Sequence, residues 1–129
     1  MSALTFSLKL KLTQRVDCSA LTPDALRGKT GAEIERVELP IGNANVAVAE
    51  IFKVTGRDSD QIIFSGDSKK LDRIGAAMTG GEIIVESGAG DYLGLGMKGG
   101  VLRVAEDVGI FAACEMRGGE LHIDGDAGD

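Results

Sequence analysis

The chain has no tryptophan, one tyrosine and four phenylalanines, so most of any core must be aliphatic. It has two cysteines, Cys18 and Cys114, far apart and outside any C-x-x-C pattern, and one histidine, His122. These counts argue against a Cys/His zinc site and for two buried, reduced thiols. No apolar run reaches the ~18 residues that a membrane span requires. The N-terminus also lacks a charged segment followed by a continuous apolar run, which argues against a signal peptide and for a cytoplasmic location. The formal net charge is −6, so a face built for nucleic-acid phosphates is not expected.

Glycine, by contrast, is abundant. There are 19 in 129 residues, concentrated after residue 74, about twice the usual ~7% share. With 43% hydrophobic and 26% charged residues the composition is that of a globular chain, and its length fits one domain. Two parts are nevertheless distinguishable. Residues 1–60 read as an N-terminal strand, short helices and entry strands; residues 61–129 are repetitive.

In the first part, LTFSLKLKL at 4–12 alternates strictly, which predicts a half-buried strand with Lys9 and Lys11 outward. Thr22-Pro23-Asp24 offers an N-cap, a proline at the first helical position and an acidic first turn, ended by Gly28. Thr30 and Glu33 have capping-box spacing and predict a second short helix. Strand character resumes at Val46 and Val48, then in EIFKV at 50–54 and QIIF at 61–64.

The second part repeats. Met78, Met97 and Met116 recur at a step of nineteen, as do the pairs Gly80-Gly81, Gly99-Gly100 and Gly118-Gly119. Ile83, Leu102 and Leu121 keep the step, and so do Val85, Val104 and Ile123. The template is G-x-x-M-x-G-G-x-Φ-x-Φ with Φ aliphatic, and Ala113 stands where the third copy should have glycine. A leucine-rich repeat has this length but a different pattern. Short Φ-x-Φ alternations bracketed by glycines suit strands joined by tight turns. Units stacked at ~4.8 Å would line up equivalent side chains, with methionine as an adaptable filler. The expectation is a mainly β fold: a right-handed parallel β-helix of 19-residue coils, preceded by a small irregular α+β part. Ile84, Arg103 and His122, between the Φ positions, should point outward.

Chemistry-bearing residues are few and scattered. His122 has Glu120 on the same predicted face but no nucleophile beside it, so a surface role is expected. Asp91, Glu106, Asp107, Asp124 and Asp126 fall in or near turns, without the regular aspartate of calcium-binding repeats. GAGDYLGLGMKGG lacks the G-x-x-x-x-G-K-[ST] signature, and Lys98 does not lead into a helix, so no nucleotide site is expected. Arg73, Arg103 and Arg117 occupy different template positions and read as solvated charge or interface residues. No catalytic, cofactor-binding or metal-binding residue is assigned.

The stretch IFKVTGRDSDQIIFSGDSKKLDRIGAAMTGGEIIVESGAGDYLGLGMKGG resembles the C-subunit family of formylmethanofuran dehydrogenase and of the bacterial formyltransferase/hydrolase complex. The likeness rests on the IF-x-V-x-G strand, the GD…LDRIG entry and the serial glycine–methionine units. TPDALRG and AEIERVELPIGN extend it over nearly the whole chain. The glycine–methionine unit also occurs in the C-terminal domain of the glutamate synthase large subunit. The C-subunit resemblance implies a non-catalytic β-helical scaffold that docks formyltransferase-like and amidohydrolase-like subunits. It implies one-carbon metabolism linked to methanofuran and tetrahydromethanopterin. Molybdenum- or tungsten-pterin, iron–sulfur clusters or zinc would belong to partner subunits, and none to this chain. Two other readings stay open: a stand-alone β-helix enzyme acting on glycans, and an interdomain module of the glutamate synthase kind. The pattern stops at HIDGDAGD in mid-coil, so the last coil is expected to continue or to be capped by another chain.

Overall fold

Alternation in ALTFSL makes the first strand, β1 (Ala3–Leu8), and fully buries Leu4 and Phe6. The computed structural model describes residues 2–128. Beyond β1 come β2 (Val16–Asp17), α1 (Pro23–Leu26), α2 (Gly31–Glu35), β3 (Glu38–Ile41), β4 (Ala44–Ala47) and α3 (Val48–Ile51). Then follow β5 (Phe52–Thr55), β6 (Asp58–Ser65), β7 (Leu71–Asp72), β8 (Glu82–Val85), β9 (Val101–Val104) and β10 (Glu120–Ile123).

The two predicted helices form for the predicted reasons. Thr22 accepts the Ala25 N–H at 3.3 Å with Pro23 in the first turn. At α2, Thr30 accepts the Glu33 N–H at 3.2 Å while Glu33 accepts the Thr30 N–H at 2.9 Å. Helix α3 was not expected. Glu50 and Ile51, read as the start of a strand, instead complete this turn, and extended backbone begins at Phe52. Lys9 and Lys11 fall beyond the end of β1, and Lys9 Nζ reaches the Ala49 carbonyl at 2.6 Å.

The strands form a six-stranded sheet, β10-β9-β8-β6-β1-β5, and a four-stranded sheet, β4-β3-β2-β7. This corrects the expected right-handed parallel β-helix with an irregular lead-in: the fold is mainly β, built of two mixed sheets with little helix. Antiparallel pairs β1–β5, β2–β3 and β3–β4 share sheets with the parallel ones. Strand β1 lies inside the larger sheet, between antiparallel β5 and parallel β6. Each nineteen-residue unit contributes one four-residue strand to the larger sheet. The reason is in the backbone: Φ-x-Φ supports a single short strand, and the connections are broken up by left-handed residues. Arg73, Gly75 and Ala77 have φ of 57°, 76° and 58°, and Tyr92, Gly94 and Gly96 repeat this with 58°, 69° and 65°. Alternate left-handed residues produce turns, not strands.

The units are nevertheless in register. Ile83 faces Leu102 and Leu102 faces Leu121; Val85, Val104 and Ile123 align likewise. Gly100 shows why glycine is needed, with φ of +86° and a hypothetical Cβ only 2.8 Å from the Gly81 carbonyl oxygen. Met78 and Met97 are fully buried, whereas Met116, Leu121 and Ile123 are only partly covered. At the other end of the sheet, Phe6 packs with Phe52 and Phe64 at centroid distances of 5.6 and 5.5 Å.

Candidate functional site

Because β8, β9 and β10 align in register, Ile84, Arg103 and His122 stand side by side on their outward face. With Glu86, Ala105 and Asp124 they line an open groove of about 420 Å³. Arg103 Nε donates to Glu82 at 3.2 Å, and Glu82 also accepts from Gln61 Nε2 at 3.0 Å. This exposed pair contributes little, ~0–1 kcal/mol. His122 is exposed two residues from Glu120, as the alternation predicts. No serine, threonine or cysteine joins it in lining the groove, so the lining supplies no nucleophile for it to activate.

The turn carboxylates have a structural use that the sequence did not disclose. Asp72 Oδ1 accepts the Asp91 N–H at 2.8 Å, and Asp91 Oδ1 accepts the Ile110 N–H at 3.0 Å. Asp107 Oδ1 accepts the Asp126 N–H at 2.8 Å. Each bond spans nineteen residues, so each carboxylate holds the backbone of the following unit. Arg15 binds Asp72 through two nitrogens at 2.8 Å and lies 3.4 Å from Asp91. The Asp72 hydrogen bond raises the Arg15 pKa, against the opposing effect of burial. Glu106, Asp124 and Asp126 remain exposed. Among the described residues, no three His, Cys, Asp or Glu side chains are grouped to hold a metal ion.

A second column runs along the turns. Arg73, Tyr92 and Phe111, each at a left-handed φ of 57–59°, stack at the same nineteen-residue step. The Arg73 guanidinium lies 5.3 Å from the Tyr92 ring centre, and Tyr92 stacks on Phe111 at 5.3 Å with 23° between planes. Arg73 also pairs with Asp17 at 3.3 Å. Sequence reasoning singled out Arg73 but missed its two partners. Extending the step of nineteen beyond methionine, glycine and Φ would have found them.

The remaining candidates stay apart. Arg117 is exposed. The Lys98 N–H bonds the Met78 carbonyl at 2.9 Å, within a glycine string that forms turns between units. Cys18 is fully buried, and that burial pushes its thiol pKa upward; Cys114 is partly covered, and neither is in a disulfide.

Comparison with known proteins finds relatives of this chain. The chain is 37% identical over 86 residues to the C subunit of the formyltransferase/hydrolase complex of Methylorubrum extorquens. It is 36% identical over 94 residues to the C subunit of tungsten-containing formylmethanofuran dehydrogenase 2 of Methanococcus maripaludis. The chain is a homologue of these C subunits. The two alignments take in 67% and 71% of this chain but 32% and 35% of the relatives, so it spans about a third of their length. A chain in the crystal structure of the M. extorquens formyltransferase/hydrolase complex, solved with methylofuran, matches with a TM-score of 0.91 and 36% identity. That superposition covers 97% of this chain and 47% of the other. No protein-family model matches the sequence. The C-subunit homologue has no helix, among its described residues, long and apolar enough to cross a membrane.

Proposed function

We propose that this C-subunit homologue is a non-catalytic scaffold in a complex of the formylmethanofuran dehydrogenase or formyltransferase/hydrolase kind, working in one-carbon metabolism. One observation carries the reading. Almost the whole chain superposes, at 36% identity, on a chain taken from such an assembly. The arrangement of side chains supports it: the groove around His122 brings no nucleophile, and the carboxylates of Asp91 and Asp107 are occupied by backbone N–H groups. Chemistry belongs to partners in this reading. Those are a formyltransferase-like and an amidohydrolase-like protein, with any molybdenum- or tungsten-pterin, iron–sulfur or zinc centre carried by subunits other than this one. The assembly is cytoplasmic.

Affinity capture of the tagged chain from its native lysate, followed by mass spectrometry, tests this. Formyltransferase-like and amidohydrolase-like subunits should be recovered together with it. A folded chain that is recovered alone, at physiological salt, rules the scaffold reading out.

A further inference from the structure

We infer that the opening beside α2, lined by Lys29 and Arg57, is a binding site for an acidic side chain on a partner protein of the complex. This rests on the scaffold reading and names one contact through which the scaffold works. The opening has a volume of about 410 Å³ and lies where β1, α2 and the β5–β6 turn meet. That is the end of the larger sheet opposite β10. The buried Leu4 and Ile34 supply apolar lining, and Lys29 and Arg57 are the exposed charges on it.

Both cations are uncommitted. Among the described residues, ion pairs are made by Arg15, Arg27, Arg73 and Arg103, and by neither Lys29 nor Arg57. The carboxylates next to them in sequence are turned to the backbone. Glu33 accepts the Thr30 N–H at 2.9 Å, and Asp58 accepts the Asp60 N–H at 3.1 Å. Two like charges on one opening, in a chain of net charge −6, make a local site for an anion. A guanidinium matches the two oxygens of a carboxylate. The apolar lining suits a carboxylate carried on an aliphatic stem better than a hydrated inorganic anion.

A glycine keeps the opening clear. Of the described glycines, only Gly31 and Gly80 have neither a left-handed φ nor any atom within 4 Å of a hypothetical Cβ. Gly80 belongs to the repeated pair, and at the equivalent Gly99 and Gly118 a Cβ would strike a carbonyl oxygen of the preceding unit. Gly31 has no such reason. It lies within α2, where glycine is less stable than alanine, and neither its backbone nor its packing demands it. What its missing side chain does is leave room between Lys29 and Arg57.

The test compares capture of the formyltransferase-like and amidohydrolase-like proteins by the wild-type chain and by three variants. Lys29→Glu with Arg57→Glu reverses the charges, Lys29→Gln with Arg57→Gln removes them, and Gly31→Leu fills the space. All three change exposed positions, so circular dichroism should match the wild type and the melting temperature should not fall. Each should reduce capture of at least one of the two proteins tenfold or more, with the charge reversal losing most. Undiminished capture of both proteins by the folded glutamine or Gly31→Leu variant overturns the site and leaves the scaffold reading intact. Calorimetric titration with glutarate separates a second source of the same chemistry. Glutarate bound by the wild type and not by the glutamine variant, with capture unchanged, would give the opening to a free organic acid and overturn the docking. A dimer of this chain that the charge reversal dissociates, again with capture unchanged, would give it to a second copy. No capture by the wild-type chain removes both the docking site and the scaffold reading.

Discussion

The two halves of the larger sheet are stabilised by different means. Around β1, β5 and β6 the core is aromatic: Phe6, Phe52 and Phe64 meet at 5.5–6.1 Å, and the short helices nearby start on side-chain caps. Along β8, β9 and β10 the core is methionine and aliphatic, and the turns depend on glycine and on carboxylates that bind backbone N–H groups. One half is specified by the shapes of individual side chains. The other is specified by spacing, because every residue has an equivalent nineteen positions away. The first should therefore be sensitive to lost volume, and the second to an added Cβ.

The largest effect is expected at Gly100→Val. Left-handed strain of ~1–3 kcal/mol adds to overpacking of ~1–3 kcal/mol against the Gly81 carbonyl and Met78. Urea denaturation should show most of the stability gone; a variant within about 1 kcal/mol of wild type, roughly one transferred methylene, would contradict the account of the turns. Phe6→Ala comes next, at ~3–5 kcal/mol, as a cavity among packed rings. The methionines offer a graded comparison. Met97→Ala should cost ~2–5 kcal/mol because its site is closed, while the half-covered Met116→Ala should cost less than about 1 kcal/mol. Equal losses at the two sites would mean that the third unit is as well packed as the second.

A weaker tie joins the two halves. Asp24, in α1, accepts the Thr79 N–H at 3.1 Å and the Thr79 hydroxyl. Desolvation would raise its pKa, but the two Thr79 bonds prevail and hold it below the ordinary carboxylate value. The folded state thus binds the proton less tightly than the unfolded chain. The contribution of Asp24 is full above the unfolded pKa, near ~4, and is lost as pH falls through the folded value. Asp24→Asn should lower stability at pH 7 by about 1 kcal/mol after allowance for solvent exposure, and the difference from wild type should close as the pH falls through the lowered folded pKa of Asp24. The smallest effect belongs to His122→Ala, which should change stability by no more than ~0.5 kcal/mol and leave capture of the partner proteins unaltered. Loss of a complex-level activity in that variant, when folded, would give the groove a role that its lining does not suggest.

Legibility in the sequence followed the same division. Strands β8–β10 and their register were readable because Met, Gly-Gly and Φ-x-Φ recur at constant distance, and the α1 and α2 caps were readable because their signals are local. The overall architecture was not. The repeat says how units stack on one another, but nothing in residues 1–60 announces that β1 will insert between β5 and β6 or that ELPI will pair with Val16. Those pairings are non-local and are decided by packing. Helix α3 escaped notice because Val48 and Ile51 are β-branched and the turn has no side-chain cap. At the surface, Arg73, Tyr92 and Phe111 share flatness, not polarity or size, so a search by chemical class passes over them.

The carboxylate bonds between units have a genetic consequence. Asp72, Asp91 and Asp107 act as a ruler, each gripping a group nineteen residues ahead. Deleting one codon inside a unit would slide every later residue off its carboxylate and turn core positions toward water. Duplicating or losing nineteen codons would return each residue to an equivalent neighbour. Genes encoding this fold should therefore change length readily by whole units, and rarely by fractions of one.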